Sequence, residues 1–200
     1  MAKRIMMAIT GSFIALFIIT GTTWAQSWDI HLSAGSDSAT GGVHYRQFVE
    51  TGFIKVGGTA LHFTDDDDVS CQTVTFDFFV GSDTLNPGLT LEVGLRGILG
   101  SLEDENHKGD LGGVAFAGNV EYFFSPTSFP LPVEIFGGLT YGPESLSFQD
   151  YESYMEFTMG TGVRIGRSAS VRLSYTTYNI DMDNWSVDSN GLRLGLVMRF

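Results

Sequence analysis

The run Asp65, Asp66, Asp67, Asp68 is the densest cluster of possible metal ligands in the chain. Hard cations such as Ca²⁺ and Mg²⁺ take several oxygen ligands. The spacing of an EF-hand loop, with its glycine and distal glutamate, is missing, so the run reads as a solvated segment that gathers divalent cations diffusely. Three of the four histidines, His31, His44 and His62, fall in the first third of the sequence. Either His44 or His62, working with Asp37 or the aspartate run, is the smallest set that would serve a surface hydrolase. A zinc site needs a third close ligand, and no motif supplies one. There is no G-x-S-x-G nucleophile motif, and the G-x-G at residues 160–162 precedes no helical pattern. No cofactor is expected.

A second set of ionisable residues is sparser and more regular. Asp29, Asp77, Glu92, Glu121, Glu134 and Glu156 match Arg46, Arg96, Arg164, Arg172, Arg193 and Arg199 in number. Each sits inside a stretch that is otherwise apolar or small. Charges in a confined space are costly unless paired, and the planar guanidinium fork suits a carboxylate bidentately. The set therefore reads as a salt-bridged network filling a narrow lumen. A polar path for a solute is the alternative.

The elements that carry these residues alternate with period two, which is the mark of a strand. In "SWDIHLSA", Trp28, Ile30, Leu32 and Ala34 share one face, while Asp29, His31 and Ser33 share the other. In "GLRLGLVMRF", Leu192, Leu194, Leu196, Met198 and Phe200 oppose Arg193 and Arg199. Ten such segments are expected, at 27–34, 41–49, 53–63, 70–80, 88–98, 111–124, 131–141, 152–165, 168–179 and 190–200. The second and third are weakly patterned, and their fusion would reduce the count to eight. Most have the length of a tilted strand that crosses a bilayer.

The connectors alternate as well. Those in odd places, "GSDSAT", "TDDDDVS", "SLEDENHKGD", "GPESLSFQDYE" and "DMDNWSVDS", carry 15 of the 23 acids; the even ones carry two. An up-and-down sheet brings every odd connector to one side and leaves one acidic rim. A net charge of −12 over the whole chain repels nucleic acid and removes it as a partner.

A soluble sandwich also alternates, but its water-facing side is rich in Lys and Glu. Here one face carries large apolar residues, and the other is Gly, Ala, Ser and Thr with isolated charges. That suits an all-β transmembrane up-and-down antiparallel barrel. Lipid offers no water to the backbone, so a sheet inside it must close, and closure removes the edges that would aggregate. Trp28, Phe53, Tyr122, Phe124, Tyr141, Tyr151 and Phe200 lie near strand ends, where interfacial aromatic girdles belong.

Lys3 and Arg4, the apolar run after them, and Thr23 and Ala25 have the layout of a signal peptide cut after Ala25. Residues 26–200 then form one barrel domain, carrying a net −14 once Lys3 and Arg4 are removed. The lone cysteine, Cys71, leaves no internal disulfide. A final strand ending Leu196, Met198, Phe200 resembles the C-terminal assembly signal of bacterial outer-membrane proteins. The expected partners are outer-membrane lipid and lipopolysaccharide, the insertion machinery during assembly, and divalent cations at the acidic connectors.

Residues 137–180 carry a family resemblance. Tyr141, Pro143, Glu144 and Leu146, followed by Phe148 and Asp150 and then Tyr154 and Glu156, resemble the YfaZ family of bacterial outer-membrane proteins. Gly142 stands where the family usually has Ala, and Ser174 and Thr176 replace Gly and Arg. The resemblance implies an outer-membrane β-barrel and little about activity. The expected role of the chain is structural or surface interaction, with no catalytic residues. A narrow cation-preferring pore is the alternative, with the rim hydrolase as a further one.

Overall fold

A computed structural model describes residues 26–64, 69–104, 106–124, 131–166 and 168–200. Ten strands follow in chain order: β1 (Gln26–Ala34), β2 (Ser38–Val49), β3 (Gly52–Thr64), β4 (Ser70–Ser82), β5 (Leu89–Glu103), β6 (Lys108–Phe123), β7 (Val133–Pro143), β8 (Tyr151–Ile165), β9 (Ala169–Met182) and β10 (Trp185–Arg199). Each pairs antiparallel with its sequence neighbour, and β1 pairs with β10, so the sheet is a closed barrel. The expected signal segment 1–25 and the Asp65–Asp68 run lie outside the described residues.

Closure is sealed at the ends of the chain. Leu32 stands opposite Leu196 and Asp29 opposite Arg199. The amide of Trp28 donates to the carbonyl of Phe200 at 3.0 Å, and the amide of Phe200 donates back to Trp28 at 2.9 Å. The terminal aromatic is thus knit into the ladder while its ring stays exposed.

Parity divides every strand into an inner and an outer face. On β4, Val74, Phe76, Phe78 and Val80 point outward and are each about half exposed, while Thr73, Thr75, Asp77 and Phe79 point inward and are buried. The same outward band continues through Val93, Phe116, Leu139, Phe157, Leu173 and Leu192 around the barrel. A continuous apolar belt of this kind is foreign to the surface of a soluble monomer. No helix among the described residues is long and apolar enough to cross a membrane, which says nothing about strands.

Toward the acidic connectors the two faces exchange character. On β9, outward Val171 and Leu173 give way to Thr177, Asn179 and Asp181; inward Arg172 and Ser174 give way to Tyr178, Ile180 and Met182. Leu61, Phe63, Cys71, Ile98, Leu102, Leu111, Tyr151 and Tyr154 join these inward residues in one apolar cluster at that end of the interior. Phe63 and Tyr178 stack within it, centroids 5.2 Å apart.

This exchange corrects the expected connectors. "SLEDENHKGD" is mostly strand, because β5 runs to Glu103 and β6 starts at Lys108. "DMDNWSVDS" is strand on both sides of a turn at Asp183 and Asn184. The acids there are side chains on the outer wall of an extended barrel. In the β5–β6 turn, the Oδ1 of Asp104 accepts the amides of Asn106 at 2.6 Å and His107 at 2.5 Å. Those bonds, the Asn106 amide foremost, hold the Asp104 carboxyl below the usual aspartate range.

Two of the expected girdle aromatics are interior. Phe53 and Tyr151 are 0% and 2% exposed, because parity turns both inward beside charged neighbours or the apolar cluster. Trp28, Tyr141 and Phe200 do lie on the outside.

The segment from Tyr141 to Asp150 has a definite structural task. β7 pairs only with Phe116–Phe123 of β6, which leaves the Lys108–Ala115 edge uncovered by a strand. After Pro143 the chain makes one 3₁₀ turn (Glu144–Leu146) and folds back along that edge. Ser147 bridges to Gly113, Phe148 donates to the Gly112 carbonyl at 2.9 Å, and Asp150 accepts the Asp110 amide at 2.9 Å. Backbone groups of an open edge are satisfied in this way without another strand.

Candidate functional site

The lumen is where the charged residues converge. Inward parity on nine strands delivers them: Asp29 from β1, Arg46 from β2, Lys55 from β3, Asp77 from β4, Glu92 and Arg96 from β5, Glu121 from β6, Glu134 from β7, Glu156 and Arg164 from β8, and Arg172 from β9. β10 adds Arg193 and Arg199.

Three linked groups form. Nearest the termini, Glu134 is fully buried and accepts Arg164 Nε at 2.8 Å and Arg172 Nε at 2.6 Å. The same two arginines reach Glu121 through their Nη2 atoms, at 2.8 and 2.5 Å. Arg199 completes this group by donating to Glu121 at 2.9 Å. Two carboxylates thus share three guanidinium groups, the arrangement in which forked donors satisfy most lone pairs. Arg164 also lies 3.9 Å from the centroid of the Phe123 ring, and Arg172 lies 4.5 Å from that of Phe136.

A second group sits beside it. Arg46 donates to Asp29 at 2.9 Å and reaches Glu92 at 3.4 Å. Lys55 also binds Glu92, and Asn119 donates to it at 3.1 Å. The buried ring of Phe53 lies under the Arg46 guanidinium at 4.3 Å, which explains why an aromatic is turned inward there.

The third group is deeper. Arg96 bridges Asp77 at 2.7 Å and Glu156 at 2.8 Å, and donates to Thr140 at 3.2 Å. His44 bonds the other Asp77 oxygen at 2.8 Å, and Tyr154 donates to Glu156 at 3.2 Å. His31 stacks on His44, centroids 5.4 Å apart. The close approach depends on small neighbours: a Cβ on Gly57 would meet His44 Cδ2 at 2.6 Å, and one on Gly162 would meet Glu134 Oε1 at 3.0 Å.

All twelve sequence-predicted lumen residues therefore point inward, and eleven join the ion-pair network. Arg193 does not. Its partners are the hydroxyls of Ser38 (2.8 Å), Thr40 (3.2 Å) and Tyr178 (2.9 Å). Lys55, His31, His44, Asn119 and Tyr154 belong to the site and were absent from the expected network. Lys55 was hidden by the weak pattern of β3, which shows its inward parity only once Phe53, Lys55 and Gly57 are aligned against Gly81, Phe79 and Asp77 of β4.

The histidines do not assemble a rim site. His44 is buried in the lumen on Asp77, while His62, on the neighbouring strand, points outward and is exposed. No group of three metal-binding side chains occurs among the described residues.

The network leaves a polar chamber of about 290 Å³, and a second cavity of about 300 Å³ opens toward the acidic end. Among the described residues, only Tyr178 and Arg193 line both. They form the partition between chamber and vestibule.

The fold and lumen define a class: a closed, ten-stranded, antiparallel β-barrel with an ion-paired interior. No family model and no curated protein matches the chain. Among solved structures, it is similar to the translocator domain of autotransporter NalP from Neisseria meningitidis, with 11% identity over 100% of this chain and 96% of that one and a TM-score of 0.42. It is also similar to the KdgM porin in complex with disordered oligogalacturonate, with 10% identity over 87% and 99% and a TM-score of 0.39. A third likeness is to the copper transporter OprC, with 14% identity over 86% of this chain and 34% of that one and a TM-score of 0.34.

Proposed function

We propose that this chain is an integral outer-membrane barrel with a non-catalytic, structural or surface-interaction role and a closed lumen. The carrying observation is the double occlusion of the interior. An ion-pair network fills the end near the termini, and an apolar cluster that includes the buried Leu102, Leu111 and Ile180 fills the other. The cavities beside these layers are small, about 290 and 300 Å³, and the outer belt of half-exposed Val, Leu and Phe supports immersion in lipid.

In this reading the acidic end faces the cell exterior and the paired termini face the periplasm. Residues 1–25 act as the cleaved export signal, and Leu196, Met198 and Phe200 as the signal read by the insertion machinery. The acid-rich rim engages lipopolysaccharide through divalent cations. The resemblance of Tyr141–Asp150 to the YfaZ family supports the same role.

A narrow pore is the second reading, favoured by one observation: among the described residues only Arg193 and Tyr178 part the chamber from the vestibule. Single-channel recording of the refolded protein in a planar bilayer decides between them. The closed barrel gives no steady openings; regular cation-selective steps would replace the first reading with the second.

A further inference from the structure

Arg193 is the exception in the lumen. Arg46, Arg96, Arg164, Arg172 and Arg199 each have a carboxylate within ion-pair distance, as does Lys55. Arg193 has none among the described residues, although it is only 6% exposed. Its Nε and Nη1 donate to neutral hydroxyls. Three hydroxyls do not neutralise a guanidinium withdrawn from water, and a buried charge without a counter-ion is expensive to keep.

The surroundings of this guanidinium have the form of a small binding site. Arg193 and Tyr178 make the floor of the vestibule, whose volume of about 300 Å³ is at the lower end of small-molecule sites. Phe63, stacked on Tyr178, supplies an apolar wall, and Ser38 and Ser189 add hydroxyl donors. Two acids also line the cavity. Asp188 borders it from the rim with its side chain on the outer wall, tied to that of Asn179 on the neighbouring strand, and Asp37 accepts the Ser36 hydroxyl. They are exposed, so they stand nearer solvent than the buried guanidinium.

We propose that the vestibule binds a small organic monoanion, a carboxylate, with its oxygens on Arg193 and the serine hydroxyls. A planar carboxylate matches the guanidinium fork, and it supplies the charge the site lacks. The acids at the opening penalise a second negative charge, so a doubly charged anion is held less tightly. The site does not depend on whether the lumen conducts: a closed barrel carries it as readily as a gated one.

The test is a titration of isotope-labelled, refolded protein in detergent micelles with sodium acetate at constant ionic strength, followed by NMR. The backbone amides of Ser38, Ser189 and Asn190 shift saturably with acetate, and sulfate gives a weaker response. In Arg193→Gln, acetate binding falls by about tenfold or more, the loss expected for a charge-assisted hydrogen bond. The dispersed spectrum of that variant reports that the barrel still folds. Arg193→Lys keeps the charge without the fork and binds acetate several-fold more weakly than the native protein. Lys108→Gln, which removes an exposed cation on the outer wall, leaves binding unchanged. Three results would overturn the proposal: no saturable shift in the folded native protein, equal binding in Arg193→Gln, or tighter binding of sulfate than acetate. Acetate binding that appears only after Asp65–Asp68 are changed to Asn would show that the chain supplies its own anion, and would overturn it as well.

Discussion

The half of the barrel near the termini and the half near the acidic connectors obey opposite rules. In the first, large apolar side chains face out and charges face in; Phe78 and Leu192 are exposed while Glu134 and Asp77 are buried. In the second, Thr177, Asn179 and Asp181 face out while Tyr178, Ile180 and Met182 face in. The backbone is the same pleated ladder throughout, so the exchange reflects the solvent around each half. A wall in lipid must be apolar outside, and a wall in water must hide its apolar residues inside. In the proposed setting the molecule is a membrane barrel continued beyond the lipid as a water-facing one, without a break in the strands.

The largest effect is expected where the ion-paired half is broken from within. Glu134→Gln leaves Arg164 and Arg172 with one carboxylate fewer between them, in a place with no exposure. Breaking a buried pair from one side costs ~3–5 kcal/mol. Urea unfolding of the refolded barrel, followed by tryptophan fluorescence, reads that loss; a change under about 1 kcal/mol would mean that the network is dispensable packing.

A smaller effect sharpens the boundary between the halves. Leu173 and Thr177 are outward residues of one strand, four positions apart. In lipid vesicles Leu173→Arg costs ~2–4 kcal/mol, and Thr177→Arg about 0–1 kcal/mol, as depth dictates. Equal costs at both positions would erase the proposed boundary.

The smallest effect concerns Cys71. It is 0% exposed within the apolar cluster of the soluble half. A polar maleimide leaves it unmodified in the folded barrel and labels it in urea, with no change in the stability of the untreated protein. Rapid labelling of the folded protein would show that the cluster is open to water.

Sequence pattern carried much of the outcome, but unevenly. Period-two alternation marked ten strands, β2 and β3 only weakly, and the inward face of the twelve expected lumen charges while missing Lys55 on β3, because pleat parity is local and needs only the next residue but one. It failed at "TYNIDMDNWSVDS", where the chemistry of the two faces swaps while the parity continues. A stretch with Ile180, Met182 and Val187 set among aspartates resembles a connector when the change of surroundings is not visible. The site was legible as a list of charges and illegible as a set of pairs. Glu134 meets Arg172 across 38 residues and Glu121 meets Arg199 across 78, separations that the register of successive strands and the curvature of the ring convert into contact.

The sequence alone determined the inner and outer faces and the concentration of acids at one end, and narrowed the strand count to ten or eight, since each follows from the alternation of residues along a single strand and of connectors between strands; the closed ladder fixes the count at ten. Tertiary structure decided which charges neutralise one another, that the β7–β8 connection folds back to cover the β6 edge, and that Arg193 has no carboxylate partner among the described residues. The reason is geometric: partner choice depends on register summed around ten strands, and a shift of one residue anywhere would turn every later side chain to the other face.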